Sequence, residues 1–197
     1  MRPVKTSKNR KGEIVAAAAN LLAQQGEAGF SLREVAKVVG IKLASLQYHF
    51  PTRELLVTAV LNDVMDGYVD QVGAALETAG DDPEEQLRIA ARALCADSGG
   101  DGNQQRLEIH LWSMALNDAL VRDALDGSHR EYIENICEMI LAARPTIKAE
   151  EARRRAVVLA RMYDGTMLFS DEPVTGLSPI DLRDTISHAG IEISFSH

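Results

Sequence analysis

Apolar residues recur every three or four positions along almost the whole chain, the spacing of helices that bury one face. Ile14, Ala17, Ala18, Leu21 and Leu22 mark a first helix over residues 12–26. Leu32, Val35, Ala36 and Val39 mark a short second one, and a third follows over about 42–50. A long fourth helix spans 52–79, with Leu55, Leu56, Ala59, Val60, Val64, Tyr68 and Val72 on a broad apolar face. Further helices are expected over 83–97, 103–117, 119–144 and 147–170, with a last one from Ser178 or Pro179. The 103–117 segment is apolar round most of its circumference, which predicts a central place in the body of the protein. The tail Ile191–His197 is β-branched and fits helix or strand. The expected fold is all-α, with about nine helices.

Local signals punctuate these segments. Ser31 with Glu34 three residues later fits a capping box, in which each side chain satisfies an amide that the helix start leaves free. Gly40 ends the second helix and lets the chain reverse at positive φ. Pro51 ends the third, because the residue before a proline is pushed out of the helical region. Thr52, Asp118 and an early Pro83 suit helix starts. Ser98-Gly99-Gly100-Asp101-Gly102 reads as a flexible loop, and Asp126-Gly127-Ser128 as an interruption of the seventh helix.

The second and third helices, joined by a tight turn, form a helix-turn-helix. Ala44, Leu46 and Phe50 are expected to pack inward, Ala44 being small enough to let the helices approach. Lys42, Leu43, Ser45, Gln47, Tyr48 and His49 are then left on the outer face or its edge. Hydrogen-bonding groups with a cation and an aromatic suit the DNA major groove, where base edges present donors, acceptors and thymine methyls.

Charge sharpens that reading. The chain carries a net −8, yet Met1–Leu55 holds nine Lys or Arg against four Asp or Glu, a balance of +5. The remainder holds twelve against 25, a balance of −13. A basic N-terminal part on an acidic body fits a local DNA footprint. Residues 1–11 add Arg2, Lys5, Lys8, Arg10 and Lys11 without apolar periodicity, which predicts a mobile arm reaching phosphates or the minor groove.

An amphipathic helix ending at Gly26, then Ser31-Leu32-Arg33-Glu34-Val35-Ala36, Val39-Gly40-Ile41, a short helix closing in Tyr48-His49-Phe50, and Thr52-Arg53-Glu54-Leu55-Leu56 together resemble the DNA-binding domain of TetR-family transcriptional regulators. The resemblance covers about residues 10–60. Two positions depart from the family pattern: Lys42 stands where a small capping residue is usual, and Gln47 where a tyrosine is usual.

The resemblance implies a homodimer binding a near-palindromic double-stranded DNA operator, with 1–55 as the DNA-binding domain and 56–197 as a helical effector-binding and dimerisation domain. Arg33, Lys37, Tyr48 and Arg53, with the basic arm, are expected on phosphates; Lys42, Leu43, Ser45 and Gln47 are expected on bases, with Ala44 and His49 beside them. The last two long helices, about 150–190, are expected to dimerise. The function implied is a repressor released by a small molecule. An activator or constitutive regulator without inducer, or an all-helical enzyme, are the alternatives.

The remaining chemistry is sparse. No His-x-x-x-His pair, no His–Cys set at ligand spacing and no Gly-x-Ser-x-Gly elbow occurs, so neither metal, cofactor nor catalytic role is expected. Cys95 and Cys137 read as free buried thiols of a reducing compartment. No apolar run approaches the roughly 20 residues of a membrane span, and no signal peptide opens the chain, so a cytoplasmic protein is expected. Met65, Tyr68, His110, Trp112, Met114 and Tyr163 are the foremost candidates to line an effector pocket between body helices, with Cys95, Cys137 and Met139 beside them.

Overall fold

The computed structural model describes residues 7–95, 102–168 and 176–196. The first six residues of the expected basic arm, most of the 98–102 loop and the break at 171–175 lie outside them. All regular structure among the described residues is helical: α1 (Ser7–Gly29), α2 (Leu32–Val39), α3 (Leu43–His49), α4 (Arg53–Leu76), α5 (Pro83–Cys95), α6 (Asn103–Ala115), α7 (Ala119–Ala143), α8 (Ala149–Leu168) and α9 (Pro179–Phe195). The all-α expectation holds. No described helix is long and apolar enough to cross a membrane.

The chain divides into two compact units, residues 1–65 with 99–127, and residues 66–98 with 128–197. The first is built on α1. Ile14, Ala18, Leu21 and Leu22 form its buried stripe, as the spacing predicts. Val35 and Ala36 of α2, Leu46 of α3 and Leu56, Val57, Val60 and Leu61 of α4 close one core with it. Helix α6 joins the same core through Leu107, Leu111, Met114 and Ala115, and α7 through Val121 and Leu125. The expectation that the 103–117 segment lies central to the body is therefore corrected. Its apolar side meets α1, while Ile109 and Leu116 are exposed.

Three further expectations change. Helix α1 begins at Ser7, so Lys8, Arg10 and Lys11 belong to a helix rather than a free arm. Arg10 pairs with Glu13 at 2.8 Å, and the Lys11 ammonium lies 5.5 Å from the Phe50 ring centre. Helix α7 runs unbroken through Asp126-Gly127-Ser128, with the Asp118 carboxylate accepting from the amides of Leu120 and Val121 at its start. The β-branched tail is helical to Phe195.

The second unit shows what holds that tail. Leu87, Ala91 and Cys95 of α5, Ile136, Cys137 and Ile140 of α7, and Ala152, Ala156, Leu159, Ala160 and Tyr163 of α8 form its core. Ile186, Ile191, Ile193 and Phe195 of α9 pack on it. The last carbonyls of a helix lack partners within it. Here Arg144 donates to the Phe195 carbonyl at 2.6 Å, and Arg155 to the Ser196 carbonyl at 2.7 Å. The Arg88 guanidinium sits 4.4 Å from the Phe195 ring centre. Packing and three cations near a helix C-terminus thus outweigh the weak helix preference of the β-branched residues. Both cysteines are free and buried, and burial pushes the Cys95 thiol up to about 11 and the Cys137 thiol up as well. The Cys95 thiol stays protonated at neutral pH and is correspondingly unreactive.

Candidate nucleic-acid interface

The turn between α2 and α3 is set by local chemistry. Ser31 has extended backbone, and its hydroxyl accepts from the Glu34 amide at 3.2 Å. Only this half of the capping box forms, because the Glu34 carboxylate lies toward Lys37, 3.5 Å away. At the other end Gly40 adopts φ 73°. Its amide donates to the Lys37 carbonyl, and the Ile41 amide to the Ala36 carbonyl at 2.9 Å. This is a Schellman closure, which needs the left-handed residue that glycine supplies without steric cost. Lys42 then caps α3 with its backbone alone, its carbonyl accepting from Ser45 and Leu46. No side chain fulfils the role of the small residue usual at that place.

Leu46 is fully buried, and Phe50 one turn later is 3% exposed. These two anchor α3 to the core. Ala44 is exposed, contrary to the inward packing expected of it. Two residues of an α-helix turn about 200°, so Ala44 and Leu46 cannot share a face. Ala44 thus joins Lys42, Ser45, Gln47 and Tyr48 on the open side. Tyr48 is 84% exposed, its ring edge-on to His49 at 5.3 Å between centres. Leu43 and His49, one turn either side of Leu46, are half-buried and flank that side. Arg33 and Lys37 are exposed on α2.

Arg53 differs from the other cations. The Thr52 hydroxyl caps α4 by accepting from the Leu55 amide at 3.3 Å, which puts Arg53 in the first turn. Its guanidinium donates to Glu27 at 3.1 Å and lies 5.6 Å from the buried Phe30 ring centre. It is therefore already engaged within the protein, a feature its sequence position gives no sign of.

The six foremost candidate effector residues fall in different places. In the first unit Met114 is fully buried and Met65, His110 and Trp112 are half-buried. The His110 ring lies against the backbone of Gly26. In the second unit Tyr163 is buried and Tyr68 half-buried. Sequence reasoning missed their neighbour Tyr132 of α7. Burial first, then the charge of Asp164, pushes the Tyr132 hydroxyl well above its ordinary range, with Tyr163, Cys95 and Tyr68 acting in the same direction. His129, one turn earlier, places its ring 6.5 Å from that of Tyr132 and its Nε2 3.5 Å from Asp164. The His129–Tyr132 spacing, with Asp164 next to Tyr163, is the only trace of this cluster in the sequence. A separate groove of about 310 Å³ between α5 and α7 is lined by Pro83, Gln86, Asn135, Glu138, Met139 and Ala142, of which Met139 alone is among the candidate effector residues. No group of three or more His, Cys, Asp or Glu able to hold a metal ion occurs among the described residues.

Comparison with known proteins agrees with this geometry. Residues 14–60 match the model of bacterial regulatory proteins of the tetR family. Over 185 residues the chain is 28% identical to an uncharacterized HTH-type transcriptional regulator in the dhlA 5′ region of Xanthobacter autotrophicus, covering 91% of this chain and 86% of that protein. It is 23% identical over 159 residues to the HTH-type transcriptional regulator BetI of Stenotrophomonas maltophilia, covering 81% and 80%. A crystal structure of a Saccharomonospora viridis protein in complex with choline superposes with a TM-score of 0.78 at 18% identity, over 96% of this chain and 98% of that one. The capped α2–turn–α3 hairpin and its open polar face lie within the matched segment, so residues 14–60 resemble the DNA-binding domain of TetR-family transcriptional regulators in both sequence and geometry.

Proposed function

We propose that the protein is a cytoplasmic homodimeric repressor that binds a near-palindromic operator and leaves it when a small molecule binds. Residues 1–55 read DNA and 56–197 serve effector binding and dimerisation. The observation that carries the reading is the open side of α3, where Ser45, Gln47 and Tyr48 stand exposed round a buried Leu46. In a dimer the two copies of α3 enter successive major grooves, about 34–36 Å apart. Lys42, Leu43, Ala44, Ser45 and Gln47 face bases; Arg33, Lys37, Tyr48 and His49 face the backbone. Arg53 adds to the phosphate contacts only so far as Glu27 releases it.

Selection of bound duplexes from a random pool, with and without candidate effectors, tests the whole reading. A symmetric enriched site lost on adding effector is expected; an asymmetric site, or none, speaks against the two-fold repressor. Within that site Gln47→Ala should relax preference at one position per half-site, by about 1–3 kcal/mol of discrimination. An unchanged preference would take Gln47 off the reading face.

The dimer is supported by apolar residues left open on the last two helices. Val158 of α8 is 52% exposed and Ile180 of α9 64%. Exposed apolar surface of this kind favours a partner. Val158→Asp should yield monomers in sedimentation and abolish operator binding at concentrations where the wild type saturates. A dimer that survives the charge would move the interface elsewhere.

For the effector, the tyrosine cluster favours a small organic cation. Tyr68, Tyr132 and Tyr163 come from three helices, and Asp164, which also pairs with Arg161 at 2.9 Å, supplies a carboxylate beside them. An aromatic face within about 6 Å of a cation contributes roughly 0.5–2 kcal/mol. The choline complex of the S. viridis protein makes choline the first compound to titrate. Saturable heat that Tyr132→Ala weakens several-fold is expected; absence of heat would remove the cation reading and leave the DNA reading standing.

A further inference from the structure

The end of α1 joins two contacts that the DNA-reading assignment does not use. Gly26 breaks the helix with φ 63° and ψ −168°, a region open to glycine almost alone. The His110 imidazole of α6 fills the space over it: a Cβ built on Gly26 would lie 2.9 Å from Cε1 and 3.2 Å from Nε2. The next residue, Glu27, accepts from Arg53, and its carbonyl accepts from the Phe30 amide at 3.2 Å. Arg53 opens α4, three residues after Phe50, which ends the reading helix.

We infer that residues 26–30 form a positioning junction, in which α6 seats the end of α1 through His110 and that end seats the corner after α3 through Glu27 and Arg53. Three features bear on it. A cation in the first turn of a helix opposes the helix dipole, so Arg53 needs an anion to hold it there. Glu27 is that anion. The Arg53 side chain is 27% exposed against 77% for Lys37, which is withdrawn for a group whose task is to meet phosphates. The Phe30 ring that Arg53 covers is itself fixed in the core, 4% exposed. Arg53 is thus a positioning residue, and His110 acts on the same corner from the other side of Gly26.

The test uses the full-length protein, the duplex it selects from a random pool and an unrelated duplex. It rests on the DNA reading, which wild-type binding in the same titrations reports on separately. Glu27→Gln should weaken binding to the selected duplex about 3–10-fold, in the lower part of the range of coupled neighbours, without weakening the unrelated one. If Arg53 were chiefly a phosphate ligand, freeing it would tighten both duplexes and steepen the salt dependence; that result overturns the proposal. His110→Ala, measured well below its melting temperature, should cause a similar loss, and His110→Phe should restore affinity by refilling the space. The double variant His110→Ala with Glu27→Gln should be no weaker than the worse single one. Full additivity, or unchanged affinity in a destabilised His110→Ala, would show two structural contacts and no junction.

Discussion

Gly26→Ala is expected to lower unfolding free energy by about 1–3 kcal/mol, because a side chain is forced into backbone that favours glycine. The residue sits at φ 63° and ψ −168°, not in the left-handed helical region that Asn or Asp tolerate. A second cost comes from the His110 ring, 2.9 Å from where the new methyl would stand. The two separate in a double variant. His110→Ala in the Gly26→Ala background should return the steric part and leave the backbone part. Urea melts of the four proteins give both. A Gly26→Ala protein as stable as the wild type would mean that α1 can run straight through residue 26.

Gly190→Ala should be of similar size, and for a different reason. Gly190 is buried within α9, and its backbone is ordinary helix, where alanine is intrinsically better by about 1 kcal/mol. The obstacle is the Tyr163 hydroxyl of α8, which occupies the place of the missing methyl, with the Met162 methyl 3.2 Å from it. Tyr163 is 5% exposed, and burial pushes its phenol well above the ordinary range, so it has no solvent to swing into. Overpacking of this kind costs about 1–3 kcal/mol. The change is therefore expected to lower the melting temperature despite better helix propensity. Tyr163→Phe added to Gly190→Ala should recover much of the loss by removing the oxygen. If Gly190→Ala alone raised the melting temperature, α8 and α9 would have to pack more loosely than they do here.

Gly165, set among the apolar residues of α8, is a glycine whose place in the sequence suits the close approach of another helix; among the described residues nothing lies within 4 Å of a Cβ built on it. Spacing alone does not tell which glycine another chain segment crosses. The same holds for α3. Seven residues carry one fully buried position, too few to fix the phase of an amphipathic face, and Ala44 was assigned inward when it lies two residues from Leu46. Arg53 shows the converse. Its distance after Phe50 fits a phosphate contact, but its partner Glu27 is 26 residues away.

What the sequence by itself determined is the part governed by neighbours within a turn. Ser31, Gly40, Thr52, Asp118 and Ser178 end or start helices by bonding amides and carbonyls two or three residues away, so they are legible before any tertiary contact is known. The helical period, the turn glycine and the basic balance of residues 1–55 then gave the DNA-reading hairpin. Tertiary structure alone decided which core α6 joins, that His110 rests on Gly26, that Arg53 is held by Glu27, and that Tyr132 rather than Trp112 stands among the interior tyrosines. These depend on contacts between residues far apart in sequence. Such contacts are chosen by shape and burial over the whole unit, and no local period records them.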